Sequence, residues 1–267
     1  MPMTVAFPES SAADLARECL YRFLSIVVAG PYSASWKRVQ DAENQRLALI
    51  AAERLCDDAA SDPGSLALGE LPPHDLQLAD LLGELHKPAE ELCAEYDRVF
   101  GLVIPKDCPP YETEYHPTSE PSFRSQQLAD VARFYRAHGI MPGLTQPERP
   151  DHLSLELEFM AFLLMKKRLA VASLATNPKA GEQARVCDRA QEQFFSDHLA
   201  WWVPAFAIRL RRKARCGYND SLARVLGALI SAERHRLGVA TPEKPVEPAL
   251  IDRPVDQGSC SSLSVQA

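Results

Sequence analysis

Seven consecutive apolar residues, Phe159, Met160, Ala161, Phe162, Leu163, Leu164 and Met165, stand near the middle of the chain. On a helix such a run turns apolar surface in every direction for about two turns, so neighbours are expected to enclose it on all sides. The run is far short of the ~20 residues that cross a bilayer. The remainder of the chain is therefore expected to pack around this one helix, which opens in the segment ERPDHLSLELEFM, residues 148–160.

Helical spacing recurs on both sides of it. Leu15, Cys19, Phe23 and Ile26 repeat on one face and stop at Gly30-Pro31, with Ser10 or Ser11 as the expected cap. Further helices are predicted over 35–60, 75–85, 88–100 and 123–138, and the central helix is expected to reach about residue 175. Three more are predicted over 182–199, 205–216 and, capped by Asn219 or Asp220, onward to Leu237. SDPGS (61–65) reads as a turn. Between 101 and 122, Pro105, Pro109, Pro110, Pro117 and Pro121 favour extended backbone, and Tyr111, Tyr115 and His116 give this loop anchors for packing. No convincing alternation of period two appears. The expected fold is all-α: a single compact domain of about eight to ten helices over 10–237, with a long proline-rich loop. Residues 1–9 are expected as an N-terminal tail and 238–267, rich in Pro, Ser and acidic groups, as a disordered C-terminal one.

The 267 residues include 36 acidic and 29 basic ones, a net charge of -7. That balance argues against nucleic acid as a partner, because phosphate binding needs a basic surface, and it permits a basic peptide. Seven cysteines without a C-x-x-C pair show no disulfide framework. The first residues lack a basic stretch followed by an apolar one, so a cytoplasmic protein without membrane insertion is expected. Charge is uneven: Glu90 to Glu158 holds 13 acidic and 6 basic residues, whereas Pro204 to Arg236 holds 8 basic and 2 acidic. The acidic middle reads either as a solvated face or as a groove that steers a basic peptide. The run RLRRKAR (209–215) either binds an anion or neutralises adjacent acidic helices.

Chemistry concentrates at the start of the central helix. Glu156 and Glu158 are two apart and point in different directions. Either both are solvated at the mouth of the bundle, or one faces inward and needs a partner. Asp151 is placed to cap the amides of Leu153 or Ser154, and His152 to emerge at the rim. The pair reads as a cap with a satisfied histidine, or as a recognition site beside an apolar groove. Metal binding is poorly supported: E-x-x-H and H-E-x-x-H are absent, and Cys108 with His116 supply only two ligands. G-x-G-x-x-G, G-K-[ST] and G-x-S-x-G are absent too, so neither a cofactor nor an assembled active site is expected.

Four segments then fall into a familiar order: EYDRVF (95–100), PPYETEY (109–115), ARFYRAHG (132–139) and ERPDHLSLELEFM (148–160), the last with an E-x-P-D-H signature. Together they resemble the TorD/DmsD/NarJ family of cytoplasmic molybdoenzyme maturation chaperones over roughly residues 12–237. The resemblance implies an all-helical, non-catalytic protein. Its partner would be the apo catalytic subunit of a molybdopterin oxidoreductase, bound through a twin-arginine signal, the mature body, or both. The subunit would be held until its cofactor is inserted. The resemblance implies a peptide-binding corner at Asp151 and His152, shaped or supported by Glu148, Pro150, Tyr111, Glu112 and Tyr115, with Tyr96 and Phe100 packed nearby. Some relatives bind guanine nucleotides weakly, and no loop here places one. Monomer and domain-swapped dimer both remain open. Two rival readings stand beside it: a helical enzyme with a buried carboxylate or cofactor pocket, and an assembly adaptor that grips a folded subunit without reading a signal.

Overall fold

A computed structural model describes residues 9–57, 65–101, 107–116, 121–140 and 148–241. It is a single all-α fold. The helices are α1 (Glu9–Ala29), α2 (Lys37–Gln40), α3 (Ala42–Asp57), α4 (Ala79–Leu85), α5 (Ala89–Phe100), α6 (Pro121–Ala137), α7 (Leu153–Ala172), α8 (Ala180–Phe194), α9 (Val203–Ala214) and α10 (Tyr218–Leu237). Short 3-10 turns occupy Pro73–Asp75 and Glu112–Tyr115, and a π-helical turn, Phe195–Leu199, extends α8. Among the described residues there is no strand, only an isolated antiparallel bridge between Tyr111 and His152.

The apolar run makes α7 the centre of the molecule. α1 lies along one side of it and α8 along another, while α9 and α10 pair with each other. Leu153, Leu157, Phe159, Met160, Leu163 and Leu164 of α7 are buried in one continuous core with Leu20, Leu24 and Val27 of α1 and Phe194 of α8. Each fully buried Leu or Phe contributes about 1.5–3 kcal/mol. Surface pairs contribute about 0.2–1 kcal/mol, so packing rather than charge holds α7 in place. The enclosure is nevertheless incomplete. Phe162 and Met165 are only half-buried and face an open groove, which corrects the expectation that the run is covered on every side.

Ion pairs fix the neighbours. Lys167 of α7 bridges Asp14 on α1 and Asp188 on α8 at 2.6 and 2.7 Å. Arg17 of α1 forks onto Glu233 of α10, which also accepts from the Tyr21 hydroxyl. Arg234 binds Glu70 in the segment before the Pro73–Asp75 turn.

Several helix ends differ from the sequence expectation for local reasons. The helix expected over 35–60 breaks at Asp41, whose backbone is extended and whose carboxylate accepts the Asn44 amide at 2.9 Å, as a capping aspartate does. α1 begins at Glu9, so Ser10 and Ser11 lie inside it rather than capping it. α10 begins at Tyr218, placing Asn219 and Asp220 within its first turn. Its cap comes from afar: Glu95 of α5 accepts the Tyr218 amide at 3.2 Å. Gly217, at φ +87°, makes room for that carboxylate, since a Cβ there would stand 1.2 Å from Glu95 Oε1. The proline-rich stretch is not wholly irregular, because Glu112–Tyr115 forms a 3-10 turn and α6 already begins at Pro121. Pro105 and Pro117, most of the 61–65 turn, and the tails before residue 9 and after 241 lie outside the described residues.

Candidate functional site

The loop at 109–115 and the corner at 148–153 are joined through their backbones. The Glu112 amide donates to the Asp151 carbonyl at 3.0 Å, and the Leu153 amide to the Pro110 carbonyl at 2.9 Å. The Asp151 side chain is fully buried and cements the joint. Its Oδ2 accepts from the Thr113 amide (3.2 Å), the Thr113 hydroxyl (2.8 Å) and Arg149 Nη2 (2.8 Å), while Oδ1 accepts Arg149 Nε at 3.0 Å. The Arg149 guanidinium also stacks over Tyr111, 4.2 Å from the ring centroid, and reaches Glu114 at 3.3 Å. Asp151 therefore does not cap α7.

His152 caps it instead. Its Nδ1 accepts the Ser154 amide at 3.1 Å, a role that requires an unprotonated nitrogen. Burial lowers the His152 pKa to about 4, so the ring stays neutral and the cap persists at ordinary pH. The ring is 5% exposed; it packs edge-on against Tyr111 and still borders the groove. Pro150 contributes its carbonyl, which accepts the Tyr135 hydroxyl at 2.8 Å.

Behind the corner lies a buried carboxylate cluster. Glu112 turns inward to His198 Nδ1 at 3.1 Å and accepts Trp201 Nε1 at 3.2 Å. Glu156, with no exposed surface, accepts Trp202 Nε1 at 3.2 Å. Burial, followed by the nearby charges of Glu112 and Asp151, pushes Glu156 well above the usual carboxylate range. Burial also raises Glu112, although His198 opposes it. One of the two central-helix glutamates thus faces the core, and Glu158 is exposed. Tyr115 is buried nearby against Trp202 and Phe206, with Arg209 over its ring.

In front of the corner is an open groove of about 650 Å³ between α1, α5 and α7. Ile26, Leu155, Phe162 and Met165 give it an apolar floor, and Glu148, Glu158, Arg22 and Arg38 give it a charged rim. Gly30, at φ +81°, lets α1 end against the ring of Tyr96, which lines the groove; a Cβ there would be 2.2 Å from that ring. The Tyr111 hydroxyl lies 3.4 Å from Glu148 at the same rim.

The structure brings all seven sequence-derived site residues into one neighbourhood, but they look different ways. Glu148 and His152 border the groove; Asp151, Glu112 and Tyr115 are buried behind it, and Tyr111 and Pro150 support the corner. Residues not read from the sequence as part of a site complete the groove, above all Arg22 and Arg38, together with Phe162 and Met165, which the sequence assigned to the enclosed core. A signal for them exists: Leu155, Glu158, Phe162 and Met165 share one helical stripe of α7, as do Arg22, Ile26 and Ala29 on α1. Among the described residues no group of three or more His, Cys, Asp or Glu side chains is arranged to hold a metal ion. The buried carboxylates do not line the groove.

Fold and site together define an all-helical protein with an open groove of mixed apolar and charged character beside a rigid, stapled corner. The chain belongs to the nitrate reductase delta subunit family, whose model matches residues 71–207 and so contains both the corner and the loop docked on it. Its relatives are named as chaperones. It is 35% identical over 118 residues to the selenate reductase assembly chaperone protein of Thauera selenatis, covering 43% of this chain and 55% of that one. It is 27% identical over 147 residues to the chaperone protein TorD of Vibrio cholerae, covering 55% and 62%. It is 32% identical over 111 residues to the chlorate reductase assembly chaperone protein of Ideonella dechloratans, covering 42% and 53%. The chain spans little more than half the length of these curated relatives. Among the described residues no helix is long and apolar enough to cross a membrane.

Proposed function

We propose that this protein is a non-catalytic, cytoplasmic maturation chaperone. It binds the apo catalytic subunit of a molybdopterin oxidoreductase and holds it for cofactor insertion before export or assembly. The observation that carries this reading is the groove, in which Glu148 and Glu158 stand over a floor of Ile26, Leu155, Phe162 and Met165. A twin-arginine signal has a basic end and an apolar stretch; Glu148 and Glu158 suit the first and the floor suits the second, while Arg22, paired with Glu18 at 3.2 Å, and Arg38 complete the rim. The names of the relatives support the same class of client.

Magnitudes divide the labour. Exposed ion pairs are worth about 0.2–1 kcal/mol each, so the rim selects and steers more than it holds. The apolar floor, at roughly 25 cal/mol per Å² buried, supplies most of the affinity. In this reading Glu148 and His152 touch the peptide. Asp151, Pro150, Tyr111, Glu112 and Tyr115 act as positioning residues that hold the corner, and the working unit is residues 10–237. The partner is protein, neither nucleic acid nor membrane.

The test is pull-down of the apo subunit with and without its signal. The signal-bearing form is expected to bind at least about tenfold more tightly, a difference of ~1.4 kcal/mol. Equal binding of both forms would favour an adaptor that grips the folded body.

A further inference from the structure

The buried carboxyls behind the corner leave one oxygen unmatched. Glu112 comes from the 109–115 loop and Glu156 from α7, and the two meet beside the π-helical turn Phe195–Leu199. That turn and the residues just after it aim three N–H groups at the pair. His198 Nδ1 and Trp201 Nε1 donate to Glu112 at 3.1 and 3.2 Å, and Trp202 Nε1 donates to Glu156 Oε2 at 3.2 Å. Glu156 Oε1 is buried and receives no donor. The Glu112 carboxyl lies within hydrogen-bonding reach of Glu156, and the two residues are 1% and 0% exposed.

Two carboxylates so placed repel each other too strongly for both to be ionised. The charged groups around them are already engaged: Asp151 with Arg149, and Glu114 with Arg124. Tyr135, the ionisable group on α6, gives its hydroxyl to the Pro150 carbonyl. A proton on Glu156 Oε1 satisfies every atom. It makes that oxygen a donor to Glu112 and leaves one negative charge facing His198 and Trp201. Glu112 also fastens the loop. Its amide donates to the Asp151 carbonyl at 3.0 Å. Its neighbour Tyr111 carries Arg149 over its ring, meets His152 edge-on and reaches Glu148 on the groove rim at 3.4 Å. Outward movement of Glu112 therefore carries Tyr111 with it.

We propose that Glu112 and Glu156 share one proton, and that this proton latches the 109–115 loop to α7, so that its removal loosens the groove rim. Hydroxide takes the Glu156 proton as water and leaves two carboxylates in contact, and their repulsion opens the joint. Burial of Glu156 favours the protonated form, which keeps the latch closed at ordinary pH. The latch is a property of the fold; its effect on ligand binding rests on the proposed function.

Infrared spectra at neutral pH are expected to show the carbonyl band of an un-ionised carboxyl. Glu156→Gln and Glu112→Gln are each expected to abolish it, because either amide donates to the carboxylate that remains. A band lost in Glu156→Gln but kept in Glu112→Gln overturns the sharing, and no band in the unaltered protein overturns the proton itself. Hydrogen exchange at the amides of Glu112 and Leu153 reads the joint. Corrected for its intrinsic rise with pH, exchange in the unaltered protein is expected to speed up at least about tenfold as the band disappears, and in Glu156→Gln to stay flat. Steady protection while the band disappears overturns the latch, as does a band that persists until the whole protein unfolds. The measurements on the unaltered protein decide the matter even where a variant does not fold. Affinity for a twin-arginine signal peptide is expected to fall a few-fold over the same pH range, less so in Glu156→Gln. Constant affinity while protection is lost overturns the coupling to the groove. A peptide that binds at no pH removes the proposed function and leaves the latch to be judged by the band and the exchange.

Discussion

Between Glu148 and Glu158 the chain carries four carboxylates, and they divide between two surfaces. Asp151 and Glu156 face inward, fully buried, one gripped by Arg149 and Thr113 and the other set against Trp202. Glu148 and Glu158 face outward over the groove. The same functional group does opposite work on the two sides. Inward, desolvation makes each oxygen expensive to leave unmatched, so Asp151, with both oxygens bonded, locks the 109–115 loop to the start of α7, while Glu156 bonds Trp202 through one oxygen and leaves the other without a hydrogen-bond donor. Outward, water screens the carboxylates and leaves them available to a ligand's cations. Asp151 and His152, which carry the sequence resemblance, thus belong mainly to the frame, and the proposed contact surface lies beside them.

The comparison breaks first if an inward carboxylate proves dispensable. Asp151→Ala leaves Arg149 and Thr113 without their acceptor, and breaking a buried pair in this way costs about 3–5 kcal/mol. Denaturant unfolding should show that loss; a change under about 0.5 kcal/mol, usual for a surface substitution, would contradict the inward role.

A pH series sharpens it next. His152 is held near 4 in the fold by burial, against ~6.5 when unfolded. The folded state therefore binds fewer protons between these values, and about 3 kcal/mol of stability is lost as pH falls from ~6.5 to 4. His152→Gln should remove that part of the acid limb. Glu156 and Glu112 act in the opposite sense. Burial raises both, so the fold retains protons that the unfolded chain releases above ~4.3, and their contribution declines as pH rises from there. Glu156→Gln should flatten this decline and make the protein more stable than the parent at neutral and alkaline pH. An unchanged slope would place the retained proton elsewhere. The smallest expected effect is on rate: association of a basic peptide should slow a few-fold between low and physiological salt as the outward charges are screened. A flat response would remove steering by the rim.

How far the sequence reveals these two surfaces follows from the reach of its signals. Helix positions come from periodicity, which is local, and the apolar run of α7 marks the centre of the fold without further help. The break at Asp41 depends on which of two local conformations wins. The capping of α10 by Glu95 depends on contact between segments more than a hundred residues apart, and no local pattern announces either. The candidate site divides in the same way. Glu148, Asp151 and His152 are recognisable as one corner. Their directions are set only when Asp151 and Leu153 pair through their backbones with Glu112 and Pro110 of the 109–115 loop, which turns the Asp151 side chain inward and makes His152 the cap. The groove needs α1 to lie along α7, so Arg22 and Phe162 become neighbours of the corner only in three dimensions.

Calorimetric titration of a twin-arginine signal peptide into the parent protein and into the Glu148→Lys, Glu158→Lys double variant, each checked by thermal melting, tests the division most directly. The account predicts a loss of affinity of about tenfold or more with a melting temperature within a few degrees of the parent's. Undiminished affinity in a folded double variant would contradict it.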